Sequence, residues 1–460
     1  QLWRREINGI AIRPPQVLRE HQADLDQVLL AIPSLSRRRR RRIVDDLQDL
    51  GIPVLQVPSV EEITSGRARI DALRPIAIEE LLGRDPVPPD PHLLGPGIAG
   101  RSICVTGAGG SIGAELCRQI LRLEPSRLVL LDLSEPSLYA IHQELSSQLP
   151  DGVALEAVLG SAADPALLEQ LLRQHAVSVL FHAAAYKHVP LVEANPLAGL
   201  ANNILSTRVV CQVAAGCGLS QVVLISTDKA VRPTNVMGAS KRVAELVVQA
   251  SALEVAAAQG SHLRYSMVRF GNVLGSSGSV VPLFRRQIAS GGPITLTHHE
   301  IIRYFMTIPE AAQLVLQAAV LAEGGDVFLL DMGDPVRIRD LAEQMVRLSG
   351  LSIRDAQHPQ GDIEIVCTGL RPGEKLFEEL LIDAESQPTS HPLIYRAKEH
   401  ALPPAWLWGR IDALQGAIAR RDEPEALSLL AELVPEWQRG GIPPAHPVIT
   451  APITAASRKP

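Results

Sequence analysis

A hydroxyl, a carboxylic acid and an amine stand side by side at Thr227-Asp228-Lys229, preceded by Ser226. Three neighbouring groups of this kind can hold a substrate hydroxyl, give up a proton and take one. The run that leads into them, Val222 to Thr227, is short, apolar and β-branched. It predicts a buried parallel strand with the polar triplet at its carboxyl end, the edge where open α/β sheets bind ligands. Met237 and Lys241 follow in a stretch rich in helix formers, Val236 to Ala258. Four residues apart on a helix, they share a face. Taken alone, a strand-end Asp-Lys pair could equally be a solvated salt bridge, so its meaning depends on its surroundings.

Those surroundings read as a nucleotide fold. Ser102 to Leu121 passes from a β-branched strand through Gly107-x-x-Gly110-x-x-Gly113 into a helical pattern, with Ser111 and Ile112 inside the turn. Glycine serves there because the turn is tight and the backbone must approach a pyrophosphate closely, while the helix amino terminus offers free N–H groups. The next apolar strand, Arg127 to Asp132, ends in an acid about twenty residues past the last glycine, placed for the adenosine ribose. An acid at Asp132 favours NAD over NADP by repelling a 2′-phosphate. Strands are expected at 153–159, 177–182, 222–227 and 263–270. After the fourth strand, Ala183-Ala184-Ala185 would let the nicotinamide half lie against the backbone, with Lys187 and His188 just beyond. The expected fold is α/β: a doubly wound parallel Rossmann sheet with a smaller α/β substrate domain, preceded by a partial nucleotide-fold-like α/β domain.

Composition sets the outer limits. A chain of 460 residues that is 46% hydrophobic can bury more than one core. Its net charge of −6 gives no case for nucleic acid. Five cysteines without a Cys-x-x-Cys pair fit a reducing compartment better than a disulfide framework, and no metal site is expected. No run of about 18 apolar residues is present to span a bilayer, and no signal peptide is visible.

Residues 1–84 alternate strand and helix (26–32, 36–50, 52–57) but lack a first strand with a glycine turn, so no cofactor is assigned to them. The run Arg37 to Arg42 fits a solvated helix face or an anionic membrane surface. Residues 85–98, rich in proline and glycine, read as a linker. The main domain is expected over 99–400, its substrate part drawn from about 273–305 and 352–400. Helices and strands are expected at 309–323, 326–331 and 337–350. Residues 401–460 read as a helical appendage (406–421 and 424–439) with a disordered tail.

TGAGGSIG, FHAAAYKHVPLVE, ISTDKAVRPTNVMGASKR, VRFGNVLGSSGSVVPLF, RYFMTI and TGLRPGEKLFEELL together resemble the extended short-chain dehydrogenase/reductase family. More narrowly they are similar to the long nucleotide-sugar 4,6-dehydratases of capsule and O-antigen synthesis. Those proteins usually begin with membrane-spanning helices that this sequence lacks. The resemblance implies NAD as cofactor, a UDP-sugar as substrate, a homo-oligomer, and a parent protein on the cytoplasmic face of the inner membrane. It makes Asp228 the C6 acid and Lys229 the C5 base, with Thr227 bonding near the C4 hydroxyl and Lys241 on the nicotinamide ribose. Ser226 joins the cofactor set, and Lys187 bridges cofactor and substrate. Lys187, His188, Asn272, Arg303, Arg371 and Glu374 fall to the substrate, the arginines on its diphosphate and Glu374 on the uridine ribose.

The sequence departs from the family at two places. Many relatives place Gly-Asp after the third strand to meet adenine, where this chain has Gly160-Ser161. Short-chain dehydrogenases carry tyrosine where Met237 stands, and a thioether cannot exchange a proton at neutral pH. Long dehydratases also carry methionine there, so a neighbour must assist C4 oxidation: Lys229 or Asp228, through Thr227 or a water. UDP-N-acetylglucosamine 4,6-dehydration is the leading expectation. A 4-epimerase shares the fold but relies on the missing tyrosine, and a non-catalytic NAD-binding sensor or scaffold is the reading that Met237 would motivate.

Overall fold

The computed structural model describes residues 87–258, 262–379, 386–399 and 401–439, together with parts of 3–57 and residues 74–75. Among them two compact units are distinguished.

The first unit draws on residues from 1–86, 280–300 and 336–369. Val28–Leu30 pairs parallel with Val54–Gln56, which pairs antiparallel with Arg74–Pro75. The helix Arg37–Gln48 buries Val44, which packs with Leu30, Val54 and Leu348. This helix carries the arginine run, and its Arg39 and Arg42 are exposed. A second small sheet sets Ile294–Leu296 and Ile353–Arg354 on either side of Ile363–Cys367.

The second unit holds the large sheet. Numbered in chain order its strands are β1 (Ser102–Thr106), β2 (Arg127–Asp132), β3 (Ala154–Leu159), β4 (Val179–His182), β5 (Gln221–Ile225), β6 (Arg264–Arg269), β7 (Asp326–Leu330), β8 (Ser386–Pro388) and β9 (Ile394–Ala397). They lie in the order 8-9-7-6-5-4-1-2-3, and β1 to β7 are parallel. The order reverses between β1 and β4, which opens a crevice at their carboxyl ends. Near-continuous burial along β1, β4 and β5 matches the unbroken apolar runs expected of strands covered on both faces. One face is covered by α1 (Ser111–Arg122) and α3 (Ile308–Leu321), the other by α2 (Val236–Ala257) with α4 (Pro404–Ala419) and α5 (Glu423–Leu433).

Four features differ from the reading of the sequence. The proline-rich stretch after residue 85 contains a helical turn, Pro91–Leu94, because Asp90 caps it by accepting from His92 N and proline occupies the first position. Leu93 and Ile98 beside it are buried in the core. Ile394–Ala397, assigned to the substrate part, pairs antiparallel with β7 in the large sheet. The appendage is no appendage over 401–439: Leu407, Ile411, Leu414, Leu427 and Leu430 share one apolar cluster with α2. α5 stops at Leu433 rather than near 439, two residues before Pro435. The tail 440–460 lies outside the described residues. No helix among those described is long and apolar enough to cross a membrane.

Candidate active site

The glycine turn is built so tightly that side chains are excluded. Gly107 has φ +66°, and a Cβ there would meet Ala184 N at 2.7 Å; a Cβ on Gly113 would meet Gly107 O at 2.0 Å. Gly110 donates to Gly107 O and precedes α1, whose first N–H groups face the end of the turn. The loop is also tied to the end of β2. Asp132 accepts from Gly109 N and from Ser134 N, both at 2.8 Å.

From this turn a cavity of about 750 Å³ extends across the carboxyl ends of β1, β4 and β5. Gly107, Gly110, Ser111, Ile112, Gly113, Ala183, Ala185, Lys187, His188, Ser226, Thr227, Lys229, Met237, Lys241 and Asn272 all line it. The structure therefore gathers most of the expected cofactor residues, with Thr227 and Lys229 of the polar triplet, around one space.

Inside the triplet Asp228 is 1% exposed and stands behind its neighbours, outside the cavity wall. Its Oδ1 accepts from the Thr227 hydroxyl at 2.9 Å and from Lys229 Nζ at 3.0 Å. Burial raises its pKa, with Glu378 adding to the rise and Lys229 opposing it. Lys229 is caught among three oxygens: Asp228 Oδ1, Asn272 Oδ1 at 3.2 Å and Glu378 Oε1 at 3.6 Å. Burial alone would lower its pKa, but the two carboxylates outweigh burial and the net direction is up.

The helix face reads as expected. Asn235 caps α2 by accepting from Gly238 N, and Met237 and Lys241 both face the cavity. Lys241 Nζ donates to Ile225 O at 2.8 Å, and burial pushes its pKa down to about 8. Ser226 lines the cavity, but its hydroxyl donates to buried Glu245 at 2.6 Å. Glu245 in turn holds Arg269 and Arg242, which also bind Glu399, and Arg242 reaches Glu436. This buried ion cluster joins α2, β6 and the segment after α5 behind the site.

Ala184, Asp132 and Ser161 border the glycine turn and the β2 and β3 ends without lining the cavity; Ser161 accepts from Ala163 N. Arg303, Arg371 and Glu374 do not line it either. Arg303 is buried, and its guanidinium donates to the carbonyls of Ile302, Lys375 and Leu376. Glu374 accepts from the backbone N–H of exposed Arg371. Rather than opening on the cavity, 371–379 is stitched to the loop after β5. Thr234 and Asn235 donate to Gly373 O, Lys375 donates to Val231 O, and Arg232 pairs with Glu379.

Three residues near the cavity carry no mark in the sequence. Glu378 sits in this seam, near Lys229 and Arg303. Asn203, in a π-helical turn, clamps both backbone groups of Tyr186 and donates to Ser240 on α2. His182 ends β4, bonded to Thr106 and Thr207; burial pushes its pKa down to about 3. The one available signal for Glu245 is its place four residues after Lys241 on the same helix.

The sequence pattern of a family described as "Polysaccharide biosynthesis protein" matches residues 103–399. The capsular polysaccharide biosynthesis protein CapD of Staphylococcus aureus is 44% identical over 394 residues, 85% of this chain and 63% of that protein. This chain thus spans under two thirds of that relative's length. A UDP-N-acetylglucosamine 4,6-dehydratase (inverting) of Campylobacter jejuni is 28% identical over 293 residues, 63% of this chain and 80% of that one. The crystal structure of DesIV, a dTDP-glucose 4,6-dehydratase from Streptomyces venezuelae with NAD and TYD bound, aligns with a TM-score of 0.51 at 21% identity. The alignment covers 61% of this chain and 88% of that one, and it establishes the shared fold.

Proposed function

This chain belongs to the polysaccharide biosynthesis protein family, and on that premise we propose that it catalyses the NAD-dependent 4,6-dehydration of a UDP-N-acetylhexosamine, with UDP-N-acetylglucosamine as substrate. The observation that carries the proposal is the buried acid of Asp228 bonded to both Thr227 and Lys229, which line the cavity that begins at the glycine turn.

The residues present suit the cofactor. The cradle of Gly107 and Gly113, where a Cβ would collide with backbone, leaves room only for a group lying against the main chain, and the α1 amino terminus favours its phosphates. Ala183 and Ala185 keep the far end free of bulk, and Lys241 lines the same cavity. NAD held there would supply the hydride acceptor and donor for a transfer from C4 to C6 of the sugar. The chain's own groups must then move the protons.

With Met237 in place of a phenol, Thr227 and Asp228 receive the C4 hydroxyl proton. Thr227 lines the cavity, and its hydroxyl hands a proton on through its bond to Asp228 Oδ1. Asp228 becomes a carboxylic acid, the form its burial favours. The C4 ketone acidifies C5–H, and Lys229 takes that proton in its free-amine form, the minor one beside two carboxylates and favoured once Asp228 is protonated. Asp228 passes its proton through Thr227 to the departing C6 hydroxyl, which leaves as water, and Lys229 gives its proton back to C5 once C6 is reduced. Two protons leave the sugar and two return, so both side chains end as they began.

Incubation with UDP-N-acetylglucosamine and NAD tests this reading. A product lighter by one water supports it; an isomer of equal mass would replace it with 4-epimerisation, and bound NAD without turnover would replace it with a sensor. Asp228→Asn should keep solvent exchange at C5 of a supplied 4-keto product while losing dehydration, and Lys229→Ala should lose the exchange.

A further inference from the structure

The amine of Lys229 is surrounded by more negative charge than a base at C5 needs. Asp228 is already at 3.0 Å, yet Glu378 brings a second carboxylate to 3.6 Å. Glu378 has 5% side-chain exposure, and its Oε2 has no hydrogen-bond partner among the described residues. A buried carboxylate with one oxygen unsatisfied is costly, and its surroundings must hold it there. They do so through the seam described above, which fixes 371–379 on the loop that carries Lys229, and through Arg303 Nε at 3.6 Å from Oε1.

We propose that Glu378 is a positioning residue that anchors Lys229 and governs how readily this amine gives up its proton, so that it sets the pH at which the C5 base becomes available. The proposal rests on the dehydratase reading for the role of Lys229, and on geometry alone for the coupling between the two side chains. Both charge balances around the pair point the same way. Lys229 faces Asp228 and Glu378 as anions against Arg303 as a cation. Glu378 faces Lys229, Arg303 and Lys375 as cations, with Asp228 nearby, and its own pKa is held down despite burial. Removing the Glu378 charge leaves Lys229 one anion against one cation, and its proton is lost more easily.

Competitive labelling with acetic anhydride, read by peptide mass spectrometry at Lys229 across a pH series, measures this without any turnover. In Glu378→Gln the labelling midpoint should move toward acid by about one pH unit. The acid limb of kcat/KM for dehydration should move with it, a change that mere loosening of the fold would not produce. An unchanged midpoint in folded Glu378→Gln overturns the proposal. If Glu378→Gln does not fold, Glu378→Asp keeps the charge and withdraws it by one methylene. It should then show a smaller shift in the same direction, and a wild-type midpoint there overturns the proposal. Absence of dehydration by the wild-type protein would remove the dehydratase reading while leaving the labelling comparison to decide the coupling.

Discussion

The Thr227 hydroxyl donates to Asp228 Oδ1 across 2.9 Å, with Thr227 on the cavity wall and Asp228 behind it. A buried acid can exchange protons with a bound sugar only through a neighbour, and the side chains of Thr227 and Lys229 both hydrogen-bond it. In the proposed reaction this division of labour substitutes for the phenol that Met237 cannot supply.

Thr227→Val keeps the shape and removes the bridge. Dehydration should fall about 10²-fold or more, in the range of a lost general acid–base contact. Thr227→Ser should recover most of it. C5 exchange on a supplied 4-keto product, which needs only Lys229, should persist in Thr227→Val. Loss of that exchange as well would mean that Thr227 orients Lys229 rather than relaying a proton.

The glycine turn offers a test by contrast. Gly113→Ala puts a methyl group 2.0 Å from Gly107 O, where no side chain can yield, whereas Gly216→Ala meets nothing within 4 Å. NAD affinity, followed by quenching of intrinsic fluorescence, should drop at least about tenfold, or 1.4 kcal/mol, in the first variant. The second should bind NAD normally and gain about 0.5–1 kcal/mol in urea unfolding, since alanine is the better residue inside a helix. Equal NAD affinity in both would show that the turn does not hold the dinucleotide.

Much of this site is legible in the sequence because its elements obey local rules. The glycine spacing, the apolar strands and the cap at Asn235 each depend on a few adjacent residues, and α2 starts where its helix formers do. What is hidden depends on contacts between distant segments. Arg303 has the residue type for a diphosphate, yet in the fold its donors meet the carbonyls of Ile302, Lys375 and Leu376. Glu378 looks like any helical or loop glutamate until the seam brings it to Lys229. The helices after residue 401 carry apolar faces in sequence, but nothing local says that the partner is α2. The arginine cluster with Glu245 and Glu399 is invisible for the same reason.

Lys241 should cost the empty protein stability. Its native pKa of about 8 lies below its ordinary 10.5, so the unfolded chain holds this proton more tightly. Below pH 8 both states are charged and the native state bears the full penalty; between 8 and 10.5 the penalty fades and stability rises with pH. The penalty is on the order of 3 kcal/mol, from which the bond to Ile225 O recovers about 1 kcal/mol. Lys241→Met should therefore be more stable than wild type by about 2 kcal/mol at pH 7 in urea unfolding, with the advantage shrinking toward pH 10.5, and should lose dehydration. A destabilised variant at pH 7 would mean that the hydrogen bond outweighs the buried charge.

His182 should make the protein acid-sensitive well above the range of its carboxylates. The ring is buried between Thr106 and Thr207, and its native pKa of about 3 lies far below the ordinary 6.5. From pH 6.5 down to about 3 the unfolded chain therefore carries a proton that the native state refuses. Stability falls with pH across that window by up to about 1.4 kcal/mol per unit from this one group. His182→Gln keeps a polar side chain toward the threonines without a titrating ring. Its stability at pH 7 should be lower, because one hydrogen bond of the pair is lost, but its decline between pH 6 and 4 should be shallower by one proton. Urea unfolding at pH 7, 6, 5 and 4 for both proteins measures the two slopes, and parallel declines would show that the imidazole takes up its proton without leaving the fold.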